Sequence, residues 1–437
     1  MPDISDRLNR RSFLKASATA TAATSLAWLP SVLPGAYATG SDTLKVGLIG
    51  CGGRGSGAAR DCVTSAEGVQ LVAMADLFRD RLDRSREALE EALGEAYNVS
   101  DDHCFDGFDG YKRVLETDVD IVILATPPGF RPLHIRAALE AGKHVFAEKP
   151  VATDVAGAKS AIASGQLARE KGLALVTGTQ YRRQPSYVDA IQRIHNGMIG
   201  DVLSAEEYYL TGSIWLRPRK PDMTDLEWQC RNWYYFTWLS GDHIVEQFVH
   251  NLDTINWALQ ANPVKALGMG GRLTRTSAQY GHIYDHFSIE YEYPNGARVT
   301  AMCRQMEGAH NQVSNRIVGT LGVADVNPGS SVIRAHDGRV LFEAPERGNN
   351  PYVQEHTDLV NSIRSGTPIV EVEETAYSTL TGILGRESAY TGQALTWDEV
   401  MNAEQDLLPA DFSVGALPEV PVPLPGKTNL ARKPFHA

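Results

Sequence analysis

The sequence is short of cysteine, of excess positive charge and of long apolar runs, and each shortage excludes something. Its five cysteines (Cys51, Cys62, Cys104, Cys230 and Cys303) are odd in number and include no Cys-x-x-Cys pair. That excludes a small scaffold held together by a disulfide framework. Lysine and arginine number 41 against 53 acidic residues, a formal charge of −12. A surface of that sign gives no reason to expect nucleic acid or anionic membrane as a partner, and a phosphorylated ligand would need a local positive site. Beyond the N-terminal forty residues, no stretch approaches the roughly 18 uninterrupted apolar residues of a membrane-spanning helix. No internal repeat is present. What remains is ordinary for a soluble enzyme: 437 residues, 43% hydrophobic and 22% charged, enough for two or three domains with full cores.

The first residues are not fold. Arg10-Arg11-Ser12-Phe13-Leu14-Lys15 precedes an alanine-rich run from Ala16 to about Leu33, and Ala36-Tyr37-Ala38 follows as a small-residue cleavage site. This resembles a twin-arginine export signal, with a generic secretory signal or an anchor as the alternative. It implies an exported, periplasmic protein with no membrane attachment after processing. Residues 1–38 carry four basic and two acidic residues, so the mature chain has a formal charge of −14. A chain folded before export needs no disulfides, and this route suits a protein that takes up a cofactor before crossing.

Leu44–Ile49 reads as a buried strand, followed at once by Gly50-Cys51-Gly52-Gly53-Arg54-Gly55. The spacing is G-x-G-x-x-G, opening a helix through Ser56, Ala58 and Ala59. Glycines there permit a tight turn, close approach of backbone to a pyrophosphate, and helix–sheet packing; the phosphates meet the helix N-terminus. The next strand, Gln70–Ala75, ends in Asp76, twenty-one residues beyond Gly55. That is the place of the acid that bonds an adenosine ribose 2′-hydroxyl; the alternative is a helix N-cap before Leu77–Leu93. A carboxylate also repels a 2′-phosphate, so NAD is favoured, with NADP left open by Arg79 and Arg81.

Further alternation follows: helix Gly110–Glu116, strand Asp120–Ala125, turn Thr126-Pro127-Pro128, helix Leu133–Ala141 and strand His144–Ala147. Near-continuous apolar strands alternating with helices imply a parallel, doubly wound sheet, an α/β Rossmann domain over residues 39–178. Thr126, Pro127 and Pro128 sit at a strand's carboxyl end, where open α/β sheets bind ligands, and so do Glu148, Lys149 and Pro150. His134 reads as a helix-face residue.

The glycine loop, Ala125–Pro128 and Ala141-Gly-Lys-His-Val-Phe-Ala-Glu-Lys-Pro150 together resemble the glucose–fructose oxidoreductase / inositol dehydrogenase / MocA family. The likeness is specific in the N-terminal half and looser afterwards. It implies that Lys149 lies near nicotinamide and a substrate hydroxyl, that Glu148 and Pro150 shape the cofactor pocket, and that the peptide before Pro150 is cis.

Helix Asp154–Lys171 and strand Leu173–Thr177 complete the nucleotide sheet. Gly178–Arg183 crosses into a second α+β domain (residues 179–405), with Gln180, Tyr181 and Arg182 expected at the cleft; for Arg182 and Arg183, interdomain ion pairing is the alternative. Helix Tyr187–His195 and strand Val202–Leu210 follow. The stretch from Tyr208 to Trp238 is dense in aromatics, including Trp215 and Trp233, and suits either a sugar lid or a buried loop or interface. A helix is expected from Ser240 to about Leu259, placing Glu246 and His250 at i, i+4 on one face. The resemblance implies His250 as the acid/base. Glu246 stands where the family has aspartate, so it is either a longer orienting arm or a substrate contact. An ordinary histidine pKa of about 6.5 suits proton transfer near neutrality. His243 lines the cleft or caps the helix start. His243 and His250 lie seven residues apart, about 10.5 Å along a helix, too far to share a zinc, so no metal is expected.

Strands are expected at 264–270, 283–293, 297–304, 314–320, 331–334 and 340–343; with Val202–Leu210 they suggest a mainly antiparallel sheet of about six strands. The resemblance implies that its outer side forms an oligomer contact, as a dimer or tetramer. His282, His286 and His310 read as sheet-face or loop residues. Helices are expected over Tyr352–Arg364 and Glu373–Tyr390. Residues 406–437 form a proline-rich tail that could wrap a neighbour.

The reading is an exported, NAD-dependent oxidoreductase acting on a secondary hydroxyl of a sugar, glycoside or cyclitol. Lys149, His250 and Glu246 are its candidate catalytic residues, and its cofactor is held tightly and recycled. Two rivals remain: an NAD-dependent glycosidase working by transient ring oxidation, and a non-catalytic sugar-binding or assembly protein.

Overall fold

The computed structural model describes residues 43–436 except 346–347 and 413–414. The export-signal reading falls on residues 1–38 and lies outside the described residues. Six strands form the first sheet: β1 (Leu44–Ile49), β2 (Val69–Asp76), β3 (Cys104–Asp106), β4 (Ile121–Leu124), β5 (His144–Ala147) and β6 (Leu175–Thr177). All are parallel, in the order β3-β2-β1-β4-β5-β6. The order reverses between β1 and β4, which opens a crevice at their carboxyl ends. Between the strands run α1 (Gly53–Val63), α2 (Arg79–Leu93), α3 (Gly110–Leu115), α4 (Arg131–Glu140) and α5 (Val155–Lys171). The strands are apolar almost throughout because helices cover both faces; every residue of β4 is buried.

After α6 (Pro185–His195) and β7 (Val202–Thr211), four helices lie in succession: α7 (Asp225–Arg231), α8 (Thr237–Ser240), α9 (His243–Glu246) and α10 (Val249–Leu259). The remaining strands are β8 (Lys265–Gly271), β9 (His286–Glu292), β10 (Arg298–Gln305), β11 (Gln312–Gly319), β12 (Gly322–Asn327), β13 (Ser330–Ala335) and β14 (Val340–Glu343). Helices α11 (Pro351–Arg364) and α12 (Val372–Thr391), a short β15 (Leu395–Thr396) and α13 (Trp397–Met401) follow.

The second sheet has nine strands, in the order β14-β13-β12-β11-β7-β10-β9-β8-β15, rather than about six. Its pairs are antiparallel except β7 with β10, which run parallel. Strand β12 is the notable omission from the sequence reading. It alternates buried and half-buried residues and is held as a strand by β11 on one side and β13 on the other.

Helix α12 is buried along most of its length, and Arg386 and Glu387 sit inside with no exposure. Arg386 donates to Thr153 O at 2.7 Å and Gly241 O at 2.9 Å, while Glu387 accepts from Arg432 of the tail. Leu407 N donates to Asp154 at 2.6 Å, and Tyr284 donates to Pro423 O at 2.9 Å. The described part of the tail therefore packs on its own chain. All five cysteines are buried and unpaired.

Candidate active site

A cleft of about 1380 Å³ runs from the glycine loop to α10, lined by residues of both sheets' domains. A single small-molecule site occupies about 300–1,000 Å³, so this one has room for two ligands. At its floor the β1–α1 turn depends on glycine. Gly50 has φ +103°, and a side chain on Gly55 would put a Cβ 1.9 Å from Gly50 O. Gly52 and Gly53 face open space, and the first turn of α1 has no side-chain cap. Its amides are thus available to an anion, as a pyrophosphate requires. Asp76 ends β2 with one oxygen accepting from Cys51 N at 2.8 Å and the other from Phe78 N at 2.9 Å. It therefore both ties down the glycine loop and leads into α2. Uncapped helix amides, an open glycine cradle and an acid beside them fit an NAD-type dinucleotide.

At the other end, the expected helix from Ser240 to Leu259 is broken. Phe248 N reaches back to His243 O, and His250 N points at Gln247 O. Glu246 and His250 consequently do not share one helical face. The carbonyl of Glu246, which an intact helix would offer to His250 N, accepts instead from Lys149 Nζ at 2.6 Å; the Glu246 carboxylate adds a contact at 3.2 Å. Glu246 is thus the partner of Lys149, not of the imidazole. His250 stacks at a tilt on Tyr181, ring centroids 4.9 Å apart. Burial, and then the charge of Lys149, push its pKa well below the ordinary value, so the ring is neutral at neutral pH. Lys149, Glu246 and His250 all line the cleft.

Among the other expected residues, Gly50, Gly52, Gly53, Arg54, Gly55, Asp76, Thr126, Pro127, Glu148, Gln180 and Trp233 line it too. Glu148 pairs with Arg54 Nε at 2.7 Å, and Arg54 lies over the ring of Tyr352. The Lys149–Pro150 peptide is cis, and Pro150, expected at the cofactor, does not line the cleft; its carbonyl accepts from Arg131 instead. Tyr181 backs His250 without lining the cleft. Arg182 forms a two-pronged pair with Asp253 at 2.8 and 2.9 Å, and Arg183 pairs with Glu371, so ion pairing claims both. His243 is buried against Phe287 and held by Asp242, away from the cleft. Of the aromatic stretch, Trp215 and Trp233 face the cleft, whereas Tyr234, Tyr235, Phe236 and Trp238 are buried. Most of those rings hold the loop.

Three contributors escaped the sequence reading. His134 is buried in the cleft wall, hydrogen-bonded to Thr126 at 3.1 Å and depressed to about 3 by burial. Arg131 turns back under the β4–α4 loop to bond Thr126 O and Pro150 O. Phe412, from the tail, stacks on Phe108 at 5.3 Å and also meets Phe130 and Trp238. For His134 and Arg131, the signal available was position just after a strand's carboxyl end. For Phe412 there was none.

A family model described as "Oxidoreductase family, NAD-binding Rossmann fold" matches residues 44–179, and the GFO/IDH/MocA C-terminal domain matches residues 187–325. The chain is 29% identical over 257 residues to inositol 2-dehydrogenase 3 of Saccharopolyspora erythraea, covering 59% of this chain and 65% of that protein. It is 30% identical over 224 residues to glycosyl hydrolase family 109 protein 2 of Shewanella sp. strain ANA-3, covering 47% of each. The chain thus spans between about half and two thirds of these curated relatives. The aldose-aldose oxidoreductase of Caulobacter crescentus superposes with a TM-score of 0.64 at 20% identity, covering 81% of this chain and 99% of that one. At that identity the likeness concerns the fold.

Proposed function

The chain belongs to the GFO/IDH/MocA oxidoreductase family, and we propose that it oxidises and reduces a secondary hydroxyl of a sugar, glycoside or cyclitol with NAD. The observation that carries this is the convergence of Lys149, Glu246 and a neutral His250 in the cleft that also holds the glycine loop. A dinucleotide held by the glycine loop and Asp76 would supply the hydride acceptor for the carbinol carbon and the hydride donor in the reverse direction. His250, lacking a proton, accepts the one leaving the hydroxyl. Lys149 holds the oxygen and stabilises the charge that develops on it, with Glu246 fixing the ammonium in place. Because burial and Lys149 disfavour a charged imidazole, the proton taken up by His250 is readily returned. That property suits a reaction that runs in both directions within one cycle.

Export by the twin-arginine route belongs to the same reading. Free NAD is scarce outside the cytoplasm, so the cofactor is held tightly and regenerated within each cycle. Phe412, packed between the two halves of the molecule, supports retention of a cofactor beneath it. The open side of the nine-stranded sheet, where Leu267, Met269 and Met302 are exposed, is the proposed homo-oligomer contact.

A second reading is favoured by the relatives named for glycosyl hydrolase family 109: transient ring oxidation, elimination of the aglycone, hydration and reduction, with net hydrolysis. One experiment separates the two. The purified protein is incubated with a panel of sugars, cyclitols and glycosides, and the products are weighed by mass spectrometry. Keto-sugar indicates oxidoreduction, free aglycone indicates hydrolysis, and neither from any compound refutes both.

A further inference from the structure

Arg131 opens α4, directly after the loop that leaves β4, and only 5% of the residue is exposed. Its guanidinium spans the carboxyl ends of two neighbouring strands, donating to Thr126 O beyond β4 at 2.9 Å and to Pro150 O beyond β5. Both bonds go to carbonyls, and the buried Nε has no partner. Around it, charge is otherwise matched: Lys149 is paired with Glu246 at 3.2 Å, Arg54 with Glu148 at 2.7 Å and with Asp61 at 3.5 Å, and Asp61 in turn with Arg60 at 3.7 Å. Glu148 and Glu246 are the carboxylates whose field reaches Arg131, and each already serves another cation. Arg131 is therefore the odd positive charge of this part of the cleft. Burial lowers its pKa to about 10, which leaves it charged at neutral pH.

Which half of a dinucleotide meets it follows from topology. Asp76, on the β2 side of the switch point, is the ribose-binding acid of the adenosine half. The nicotinamide half must then cross β1 toward β4 and β5, whose ends Arg131 clasps. The oxidised nicotinamide ring is a cation, and the reduced ring is neutral. An uncompensated cation in a water-poor wall therefore disfavours the oxidised ring.

We propose that Arg131 sets the redox preference of this site, making it hold the reduced dinucleotide more tightly than the oxidised one. The inference rests on the NAD reading above. Its consequence is that the bound couple is a stronger oxidant than the free one, so hydride transfer from a substrate hydroxyl to the bound dinucleotide is favoured, with His250 taking the proton and the reduced cofactor left to be reoxidised by the second half of the cycle. A tenfold preference corresponds to about 30 mV for a two-electron couple.

The test is titration of cofactor-stripped full-length protein with NAD⁺ and NADH, following heat and NADH fluorescence, for wild type, Arg131→Gln and Arg131→Lys. The wild type should bind NADH on the order of tenfold more tightly than NAD⁺. Arg131→Gln should collapse the ratio toward one, mainly by tightening NAD⁺, and Arg131→Lys should preserve it. Equal weakening of both forms in Arg131→Gln would show a merely structural clasp and overturn the proposal. So would a wild-type ratio of one or below, a measurement that stands even if the glutamine variant does not fold. Wild type that binds neither dinucleotide would sink the NAD reading itself.

Discussion

Lys149 Nζ donates to the backbone carbonyl of Glu246 at 2.6 Å, a group freed for it because the helix breaks before His250. The contact gives the two functions of Glu246 different sensitivities to mutation. Glu246→Gln keeps the carbonyl and loses only the carboxylate, so it should lower kcat modestly, within about tenfold. Lys149→Met removes the ammonium itself and should lower kcat by about 10²–10³ while cofactor binding persists. Steady-state kinetics with parallel NADH titration distinguish the two.

His250 makes a prediction with a definite sign. Its pKa is depressed by burial and by Lys149, so the neutral, proton-accepting form persists on acidification through the ordinary histidine range. The acid limb of the kcat profile should lie well below pH 6.5. His250→Asn should lower kcat by about 10²–10⁴ and abolish that limb. A limb at the ordinary value would refute the depressed pKa.

Asp76 holds the glycine loop through Cys51 N and would meet the adenosine ribose. Asp76→Ala should weaken NAD binding by about tenfold or more, the cost of leaving a charged hydrogen bond unmade. Because Arg81 also lines this end of the cleft, the same change should improve NADP relative to NAD. The ratio of the two dissociation constants reports it.

Phe412→Ala removes a ring that touches Phe108, Phe130 and Trp238. Aromatic pairs contribute about 0.5–1.5 kcal/mol each beyond burial, so unfolding should shift measurably. The decisive readout is the rate of NADH release in stopped flow, expected to rise severalfold. An unchanged rate would leave Phe412 a stability element alone.

Acid stability follows from the buried histidines. His134, His282 and His356 are each pushed down to about 3 by burial, and His250 well below its usual value. In the unfolded chain each binds a proton below about pH 6.5, whereas the folded protein does not. Stability should therefore fall as pH drops from about 6.5 toward 3, by up to about 1.4 kcal/mol per pH unit for each group. Glu207 and Glu355, raised by burial, oppose this near and above the ordinary carboxylate range. Urea midpoints at stepped pH measure the balance.

The cofactor half was legible because its determinants are local. Gly50 to Gly55 and Thr126 lie just beyond buried strands and Asp76 ends one, so strand periodicity alone places them at one edge of a parallel sheet. His144–Ala147 is a strand with the expected bounds for the same reason. In the second domain, local pattern misled where neighbours decide. β12 pairs only because β11 and β13 enclose it, and the helix through Glu246 breaks although its residues favour continuation. Arg182, expected at the cleft or in an ion pair, was settled by Asp253, seventy-one positions away.

The sequence by itself determined the nucleotide fold and the glycine cradle with its acid, since spacing along one chain specifies those; Lys149 and His250 were singled out by the family resemblance of the motifs around them. Tertiary structure alone decided what Lys149 holds, because its partner Glu246 is 97 residues distant and the contact exists only where a helix is interrupted. It also decided where charge is left over. Arg131 donates only to carbonyls while Glu246 is paired with Lys149 and Glu148 with Arg54, and an assignment of partners among buried charges is a property of three-dimensional proximity, which no linear pattern contains.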